Sequence, residues 1–270
     1  MTELHLAGFY VREVQASLAR IRENVLDWEH LAALHSSSFA SVELVDEDAD
    51  GWRIKLTGTP VGKKAAAPQL LKLFLKADTS AYRVVTEDGP GAGSEIRVTV
   101  TRRSPHLTGI RVEYHVAEAD SDRLALIGKG FVTLYRRLWD EDEVMMRARE
   151  IALTPRRKTN TPARLVLGLE SDIRQRLPLA FDFRDGRFHL VQVNGQLAAH
   201  STRCPHWLGP LEGPPDASGT VTCPWHGYRF DAVTGCSADG RGLKLAPAPS
   251  IRIDHGRVIA EPAADVAAAA

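Results

Sequence analysis

Four potential metal ligands in the last third of the sequence constrain this chain more than any other feature. They occur as Cys204-Pro-His206 and, after sixteen intervening residues, as Cys223-Pro-Trp-His226, each pair followed by a glycine that permits a tight loop. Two thiolates and two imidazoles suit either a zinc ion or a two-iron cluster. A zinc finger usually pairs Cys with Cys and His with His around a helix, whereas each loop here supplies one of each type between strand-like segments. The pattern therefore predicts two loops on a β framework that meet around one metal cofactor.

The sequence of these loops, CPHWLGPLEG and CPWHGYRFDAVTG, resembles the Rieske iron–sulfur family over residues 164–260. In that family the two cysteines bind one iron of a [2Fe-2S] cluster and the two histidines bind the other. The respiratory branch has an extra cysteine in each loop and a serine after the second His-Gly pair. This sequence has Trp207–Leu208–Gly209 and Gly227–Tyr228 in those places. It therefore resembles the lower-potential branch of ferredoxins and oxygenases.

The first half of the sequence predicts an α+β domain. Apolar residues recur at three- and four-residue steps over Ala16–His35 and again over Ser121–Leu153, which is the period of a helix. Ser121 and Asp122 are the expected N-terminal caps of the second helix. A helix, a meandering antiparallel sheet and a long helix across that sheet are the expected architecture. The predicted strands lie near residues 39–45, 52–57, 70–76, 82–86, 94–102 and 110–117.

One stretch of the first predicted helix carries polar residues that a core-facing helix does not need. Asp27, His30 and His35 stand among leucines and alanines in ENVLDWEHLAALH. The two histidines are five residues apart, about 140° around an ideal helix, so they converge only if a π-bulge interrupts the helix or the helix ends there. From spacing alone, an ordinary core or surface histidine is the more common interpretation.

The same stretch has the form N-x2-D-x2-H-x4-H and resembles the mononuclear iron motif of Rieske non-heme iron oxygenases. The catalytic domain of that family has a helix-grip fold of the START type. The resemblance implies that His30 and His35 bind Fe(II), and that Asp27 connects the iron site to a Rieske histidine as an electron-transfer bridge. Asn24 matches a position close to the iron, more weakly.

A carboxylate is expected as the third iron ligand, because two imidazoles and one carboxylate leave positions open for dioxygen and substrate. The second predicted helix contains the acidic run DEDE. Without a metal nearby, such a run would be interpreted as a solvent-exposed turn. Asp142 continues the core-facing stripe, four residues after Leu138 and three before Met145. Asp140 lies four residues after Arg136, on the polar face. The stripe favours Asp142, and the resemblance agrees, but a shift of one turn would change the choice between them.

The chain is therefore expected to contain a START-like catalytic domain followed by an all-β Rieske domain. Their order is inverted relative to most members of the oxygenase family. The predicted boundaries are 1–153 for the catalytic domain, 154–163 for a linker, 164–262 for the Rieske domain and 263–270 for a frayed tail. Strands of the second domain are predicted at residues 179–183, 188–193, 196–199, 220–223, 228–231, 251–254 and 258–260.

These features indicate the terminal oxygenase component of a Rieske system. Electrons are expected from a separate NAD(P)H-dependent reductase or ferredoxin, since the sequence has no G-x-G-x-x-G fingerprint after a strand and no flavin-type domain. The expected substrates are dioxygen and a small apolar or aromatic molecule, which is hydroxylated, dihydroxylated or demethylated. The alternative is a non-enzymatic Rieske electron carrier fused to an iron-free START-like ligand-binding domain.

Charge and hydropathy narrow the partners further. The 34 basic and 34 acidic residues cancel, so no overall field attracts nucleic acid or an anionic membrane.

No segment approaches the ~20 apolar residues of a membrane span, and charged residues occupy the place of a signal peptide. Three cysteines argue for a reducing compartment, and a cytoplasmic location is expected. The family resemblance implies a homo-oligomer, with a trimer as the familiar arrangement.

Overall fold

A computed structural model shows the chain as two compact units, residues 1–150 and residues 151–270. Most of the predicted linker and of the predicted tail lies outside the residues that the structure describes. None of the helices among the described residues combines the length and the apolar character needed to cross a membrane. The described residues are 3–48, 51–60, 66–75, 80–154 and 163–263.

The first unit is a seven-stranded antiparallel sheet with two short helices and one long helix. The strand order is β1-β7-β6-β5-β4-β3-β2, so β2 to β7 form a meander and β1 pairs with β7. This is the α+β helix-grip architecture that the sequence predicts. In chain order the elements are β1 (His5–Val14), α1 (Leu18–Leu26), α2 (His30–Leu34), β2 (Phe39–Asp48), β3 (Gly51–Gly58), β4 (Gln69–Leu75), β5 (Ala81–Asp88), β6 (Glu95–Ser104), β7 (Leu107–Val116) and α3 (Ser121–Leu153).

All six strands predicted in this unit are present, but sequence analysis misses β1. A register irregularity between Leu6 and Gly8 shifts the alternation of inward and outward residues within the strand. Phe9 and Val11 are also apolar although they are 51% and 58% exposed. The alternation that identifies a half-buried strand is therefore obscured in β1.

The single helix predicted over Ala16–His35 is wrong in extent, because two short helices replace it. Asp27 follows α1 with an extended backbone, at φ −81° and ψ 92°, and interrupts the helical path. Trp52 of β3 donates its indole N–H to the carbonyl of Val25 at 3.0 Å, which satisfies a carbonyl at the end of α1. The chain then re-enters a helix at His30.

The long helix α3 covers the predicted range, but its predicted caps are wrong. Asp120 is the capping residue, since its Oδ1 accepts a hydrogen bond from the N–H of Arg123 at 2.9 Å. Ser121 and Asp122 lie in the exposed first turn instead. The buried face of α3 carries Phe131, Leu138, Trp139, Asp142, Met145 and Met146.

Two contacts hold α3 at a defined position on β1. At the first, the backbones of Gly8 and Gly128 meet so closely that a Cβ on Gly128 would lie 2.0 Å from the carbonyl oxygen of Ala7. At the second, the guanidinium of Arg12 pairs with Asp140 and Glu143 of α3. A backbone contact and a forked ion pair together fix both the distance and the rotation of the helix.

The second unit is all-β, as predicted, and consists of two three-stranded sheets and one two-stranded ribbon. Every strand predicted in it is present, whereas β8 and α4 are missed. The loops between β11 and β12 and between β12 and β13 carry the Cys and His pairs. The elements are β8 (Leu165–Leu169), α4 (Glu170–Arg174), β9 (Leu179–Phe183), β10 (Gly186–Val193), β11 (Gln196–Ser201), β12 (Thr220–Thr222), β13 (Arg229–Asp231), β14 (Ser250–Asp254) and β15 (Arg257–Glu261).

The contact between β1 and α3 can be tested with a matched pair of glycine substitutions. Gly128→Ala should lower the free energy of unfolding by about 1–3 kcal/mol, because its methyl group would overlap the Ala7 carbonyl. Gly130 of the same helix faces open space, so Gly130→Ala should raise stability by about 0.5–1 kcal/mol. Urea unfolding followed by circular dichroism measures both effects, and equal behaviour of the two variants would contradict this packing.

Candidate functional site

Three buried side chains converge inside the first unit. His30 begins α2, His35 follows its last residue, and Asp142 lies on the buried face of α3. The Nε2 atoms of His30 and His35 lie 3.4 and 3.1 Å from Oδ1 of Asp142. One ligand atom from each residue lies within 4.8 Å of the others. Two imidazoles and one carboxylate form a donor set that suits a divalent transition metal with open coordination positions.

The second nitrogen of each histidine faces another carboxylate. Nδ1 of His30 lies 3.4 Å from Oδ2 of Asp27, and Nδ1 of His35 lies 2.6 Å from Oε2 of Glu141. Carboxylates in this position orient metal-binding imidazoles and set their tautomer. A proton on Nδ1 of His35, directed at Glu141, leaves the Nε2 lone pair of that ring available to a metal. Nδ1 of His30 is buried and makes no hydrogen bond among the described residues, so Asp27 lies beside it as a nearby charge.

The electrostatics of this site favour an ionised Asp142. Burial alone would raise the pKa of its carboxyl group, but hydrogen bonds and charge interactions with His30 and His35 lower it well below the usual range. Burial alone would lower the pKa of His30, but Asp142 and Asp27 raise it to about 10. A divalent cation that binds here must displace the proton of His30, because metal ligation requires a neutral imidazole.

Two further residues were considered for the iron site, Asn24 and Asp140, and their surroundings differ. The amide of Asn24 donates from Nδ2 to Oδ1 of Asp142 at 3.0 Å, inside the buried cluster. The side chain of Asp140 is 60% exposed and pairs with Arg12, whereas that of Asp142 is 9% exposed. The structure therefore brings Asn24 to the cluster and leaves Asp140 outside it.

Glu141 is a site residue that sequence analysis misses. It lies in the acidic run beside Asp142, where composition alone does not distinguish it from a solvated residue. Its contact with His35 joins the end of α2 to α3, and helical periodicity does not reveal such a contact between separate helices.

An apolar cavity of about 130 Å³ adjoins the three converging side chains. A cavity of roughly this size in a protein interior accommodates one benzene-sized molecule. The site thus combines metal-binding donors with a small, partly open cavity. Its walls include Trp52, Leu71, Leu73, Tyr82, Val84, Ile96, Tyr135 and Trp139.

In the second unit, the two Cys/His loops share one hydrogen-bonding pattern. The carbonyls of Cys204 and Cys223 accept from the N–H four residues later at 3.0 and 2.9 Å. Their own N–H groups donate to the carbonyl five residues later, at 2.9 and 2.8 Å. The fourth residue after each cysteine adopts a left-handed conformation, with φ 63° at Leu208 and φ 70° at Gly227. The two loops are therefore related in backbone structure as well as in ligand type.

The glycine that follows the first pair has a different role from the one predicted. Leu208, not Gly209, takes the left-handed position of the first turn. A Cβ on Gly209 would lie 2.7 Å from Sγ of Cys223 and 3.1 Å from the indole of Trp225. Gly209 is needed because the second loop approaches it closely, whereas Gly227 is needed for its backbone conformation.

The four donors of these loops are packed together. Cys204 and Cys223 are buried and free of disulfides. The imidazole rings of His206 and His226 lie 4.5 Å apart, and their Nδ1 atoms are shielded from solvent. A hydrogen bond with the Cys204 thiol lowers the pKa of the Cys223 thiol to about 5. The same contact raises the pKa of the Cys204 thiol, so binding a cluster through both cysteines would release the proton that this pair holds.

A cation lies behind one of the loop histidines. The ring of Tyr228 stacks on that of His206 with centroids 4.4 Å apart and an angle of 12°. The guanidinium carbon of Arg241 lies 3.9 Å from the centroid of Tyr228. Arg241, Tyr228 and His206 thus form a stack that holds a positive charge near the loops.

Comparison with known proteins identifies the domain that carries the loops. Residues 163–247 match the Rieske [2Fe-2S] domain family. Apoptosis-inducing factor 3 from Mus musculus and from Homo sapiens is 36% identical over 73 residues, which is 27% of this chain. The match spans only 12% of the length of these curated relatives.

Solved structures resemble each part of the chain at low sequence identity. A START superfamily protein from Mycobacterium smegmatis is 17% identical with a TM-score of 0.43, over 51% of this chain and 97% of that one. The ferredoxin of carbazole 1,9a-dioxygenase from Nocardioides aromaticivorans IC177 is 22% identical with a TM-score of 0.34, over 38% of this chain and 100% of that one. The family match assigns a Rieske domain to the second unit, which implies a [2Fe-2S] cluster and electron transfer.

The charge of Arg241 should influence the reduction potential of that cluster. A nearby cation stabilises the more negative, reduced state, so Arg241→Gln should lower the potential. Arg241→Lys keeps the charge and should retain most of the wild-type value. A redox titration followed by visible absorbance measures the potentials. An unchanged potential in Arg241→Gln would contradict an electrostatic role for this stack.

Proposed function

We propose that this chain is the terminal oxygenase component of a Rieske system. The observation that carries the proposal is the buried group of His30, His35 and Asp142 beside an apolar cavity, in one chain with a Rieske domain. When bound, the [2Fe-2S] cluster supplies single electrons and the mononuclear Fe(II) supplies dioxygen activation. The substrate is a small organic molecule that is hydroxylated, dihydroxylated or demethylated.

In this proposal the loop donors hold the cluster. Cys204 and Cys223 bind one iron, and His206 and His226 bind the other, as in the family that the loops resemble. Burial of both thiols, the shielded imidazole nitrogens and the match over residues 163–247 support the assignment.

The mononuclear Fe(II) would be held by His30, His35 and Asp142. Asn24 donates to the carboxylate of Asp142 and restrains its rotation. Glu141 restrains the ring of His35 in the same way from its Nδ1 side. These contacts position the ligands without occupying the Nε2 lone pairs of the histidines.

We further propose that Asp27 is the electron-transfer bridge. Its side chain is 6% exposed, and its Oδ2 lies 3.4 Å from Nδ1 of His30. A carboxylate that faces an iron ligand offers a short path of polar contacts towards that ligand. Glu141 faces His35 in a comparable way, so the two carboxylates form a natural pair for comparison. Electrons would reach the chain from a separate reductase or ferredoxin, and a homo-oligomer remains part of the proposal.

The competing function is an electron carrier fused to an iron-free ligand-binding domain. Two imidazoles and a carboxylate that converge within 4.8 Å match the donor set of a metal with open coordination positions. A domain that binds only apolar ligands gains nothing from that arrangement. The buried polar group therefore favours the oxygenase.

Iron content distinguishes these two functions and tests the choice of carboxylate. The oxygenase requires three irons per chain, two in the cluster and one outside it, whereas the carrier requires two. Asp142→Ala should remove the third iron and leave the visible spectrum of the cluster intact. Asp140→Ala, a change in the exposed partner of Arg12, should retain all three. Loss of the third iron in Asp140→Ala alone would reverse the assignment.

Variants of Asp27 and Glu141 distinguish an electron-transfer bridge from a carboxylate that only orients a ligand histidine. Asp27→Asn and Glu141→Gln should each weaken iron binding by about 10–100-fold, because each removes a carboxylate that faces a ligand histidine. At saturating Fe(II), only Asp27→Asn should also slow oxidation of the prereduced cluster by orders of magnitude. Single-turnover stopped-flow absorbance provides the measurement. Wild-type oxidation rates in iron-loaded Asp27→Asn would eliminate the bridge.

A further inference from the structure

Two tyrosines line the cavity without using their hydroxyl groups elsewhere. Tyr82 of β5 and Tyr135 of α3 are lining residues, and neither forms a hydrogen bond within the part of the chain that the structure describes. Other tyrosines of the same unit differ, since Tyr10 accepts from Arg12 and Tyr114 donates to Ser94. Both residues are half-buried in a partly open cavity, so their hydroxyl groups can bind an acceptor that enters it.

Both phenols are suited to donate hydrogen bonds. Burial raises the pKa of Tyr82 and that of Tyr135, and the negative charge of Asp142 raises both further. Each hydroxyl therefore stays neutral across the physiological range. The proton of each is available to an acceptor that enters the cavity.

The charge of the lining indicates what kind of acceptor fits. Asp27 and Asp142 contribute negative charge, and the described lining contains neither lysine nor arginine. The cationic His30 of this lining already pairs with Asp27 and Asp142, so an anionic ligand would face two carboxylates without a cation left over to pair with it. A neutral acceptor, such as a carbonyl or ether oxygen, meets the phenols without this repulsion.

The size of the cavity limits the rest of the ligand. Its volume of about 130 Å³ matches one ring, and its remaining walls are apolar. A fused two-ring molecule exceeds this volume, so it would have to leave one ring outside the cavity or displace the packed side chains around it.

We propose that Tyr82 and Tyr135 form a subsite that binds the neutral, hydrogen-bond-accepting substituent of a single-ring molecule in the cavity beside His30, His35 and Asp142. This ligand is the substrate only if the proposed oxygenase function is correct. Binding itself requires neither turnover nor iron, so the two can be tested separately. Tyr82 and Tyr135 would determine which one-ring molecules are retained.

Binding to the full-length protein tests this subsite directly. The probes are benzaldehyde, toluene, benzoate and 2-naphthaldehyde, and the signals are calorimetric heat and tryptophan fluorescence, since Trp52 and Trp139 line the cavity. Benzaldehyde should bind about three- to tenfold more tightly than toluene, as expected for a hydrogen bond formed in an apolar site. Benzoate and 2-naphthaldehyde should bind more weakly than benzaldehyde.

Conservative variants show which side chains cause the preference for benzaldehyde over toluene. Tyr82→Phe and Tyr135→Phe should each reduce the ratio of benzaldehyde to toluene affinity, and the double variant should bring it to about one while toluene affinity is unchanged. Retained toluene binding shows that the cavity is still formed. Tyr114→Phe is the matched control, because it removes a hydroxyl that bonds to Ser94 outside the lining, and it should keep the wild-type ratio.

Several results would overturn the subsite. These are equal affinities for toluene and benzaldehyde in the wild type, an undiminished ratio in the double variant, tighter binding of benzoate, or no binding of any one-ring probe. None of these binding results depends on how many irons the protein holds. A chain with three irons and no such preference would keep the proposed function and lose this inference, whereas a preference in a chain with two irons would do the opposite.

Discussion

The contact of one carboxylate with two imidazoles organises the first unit. A buried ionised carboxylate is stable only where charge and hydrogen bonds compensate its lost hydration, and Asp142 has His30, His35 and Asn24 around it. The contact also requires α3 to keep its register on the sheet. The glycine contact with β1 and the ion pairs of Arg12 supply that restraint. Local polar geometry and helix packing are thus parts of one arrangement.

The candidate metal ligands could be predicted from sequence more completely than the contacts and backbone geometry that bring them together. Side-chain spacing on α3 distinguishes Asp142 from Asp140 because helical periodicity reports which face is buried. The break after α1 could not be predicted, since it depends on a hydrogen bond from Trp52, far along the chain. Glu141 was missed because its contact with His35 joins the end of α2 to α3, a tertiary contact that periodicity within one helix does not report. The bulge in β1 similarly hides a strand from pattern analysis.

The two units divide the required chemistry by donor type. The second unit offers thiols and imidazoles on related loops, and Rieske cofactors with this ligation exchange electrons singly. The first unit offers imidazoles and a carboxylate beside an apolar chamber, which suits a metal with open positions next to an organic molecule. Neither donor set alone supports oxygenation. The presence of both donor sets in one chain is the reason for proposing an oxygenase.

Metal exchange at the mononuclear site tests that combination most directly. The full-length protein would be freed of its labile iron by a chelator, reloaded with either Fe(II) or Zn(II), reduced anaerobically and mixed with dioxygen in a stopped-flow instrument. The proposed function requires rapid oxidation of the cluster in the Fe(II) form and slow oxidation in the Zn(II) form, because zinc has no redox chemistry. Equal oxidation rates in the two forms would contradict it.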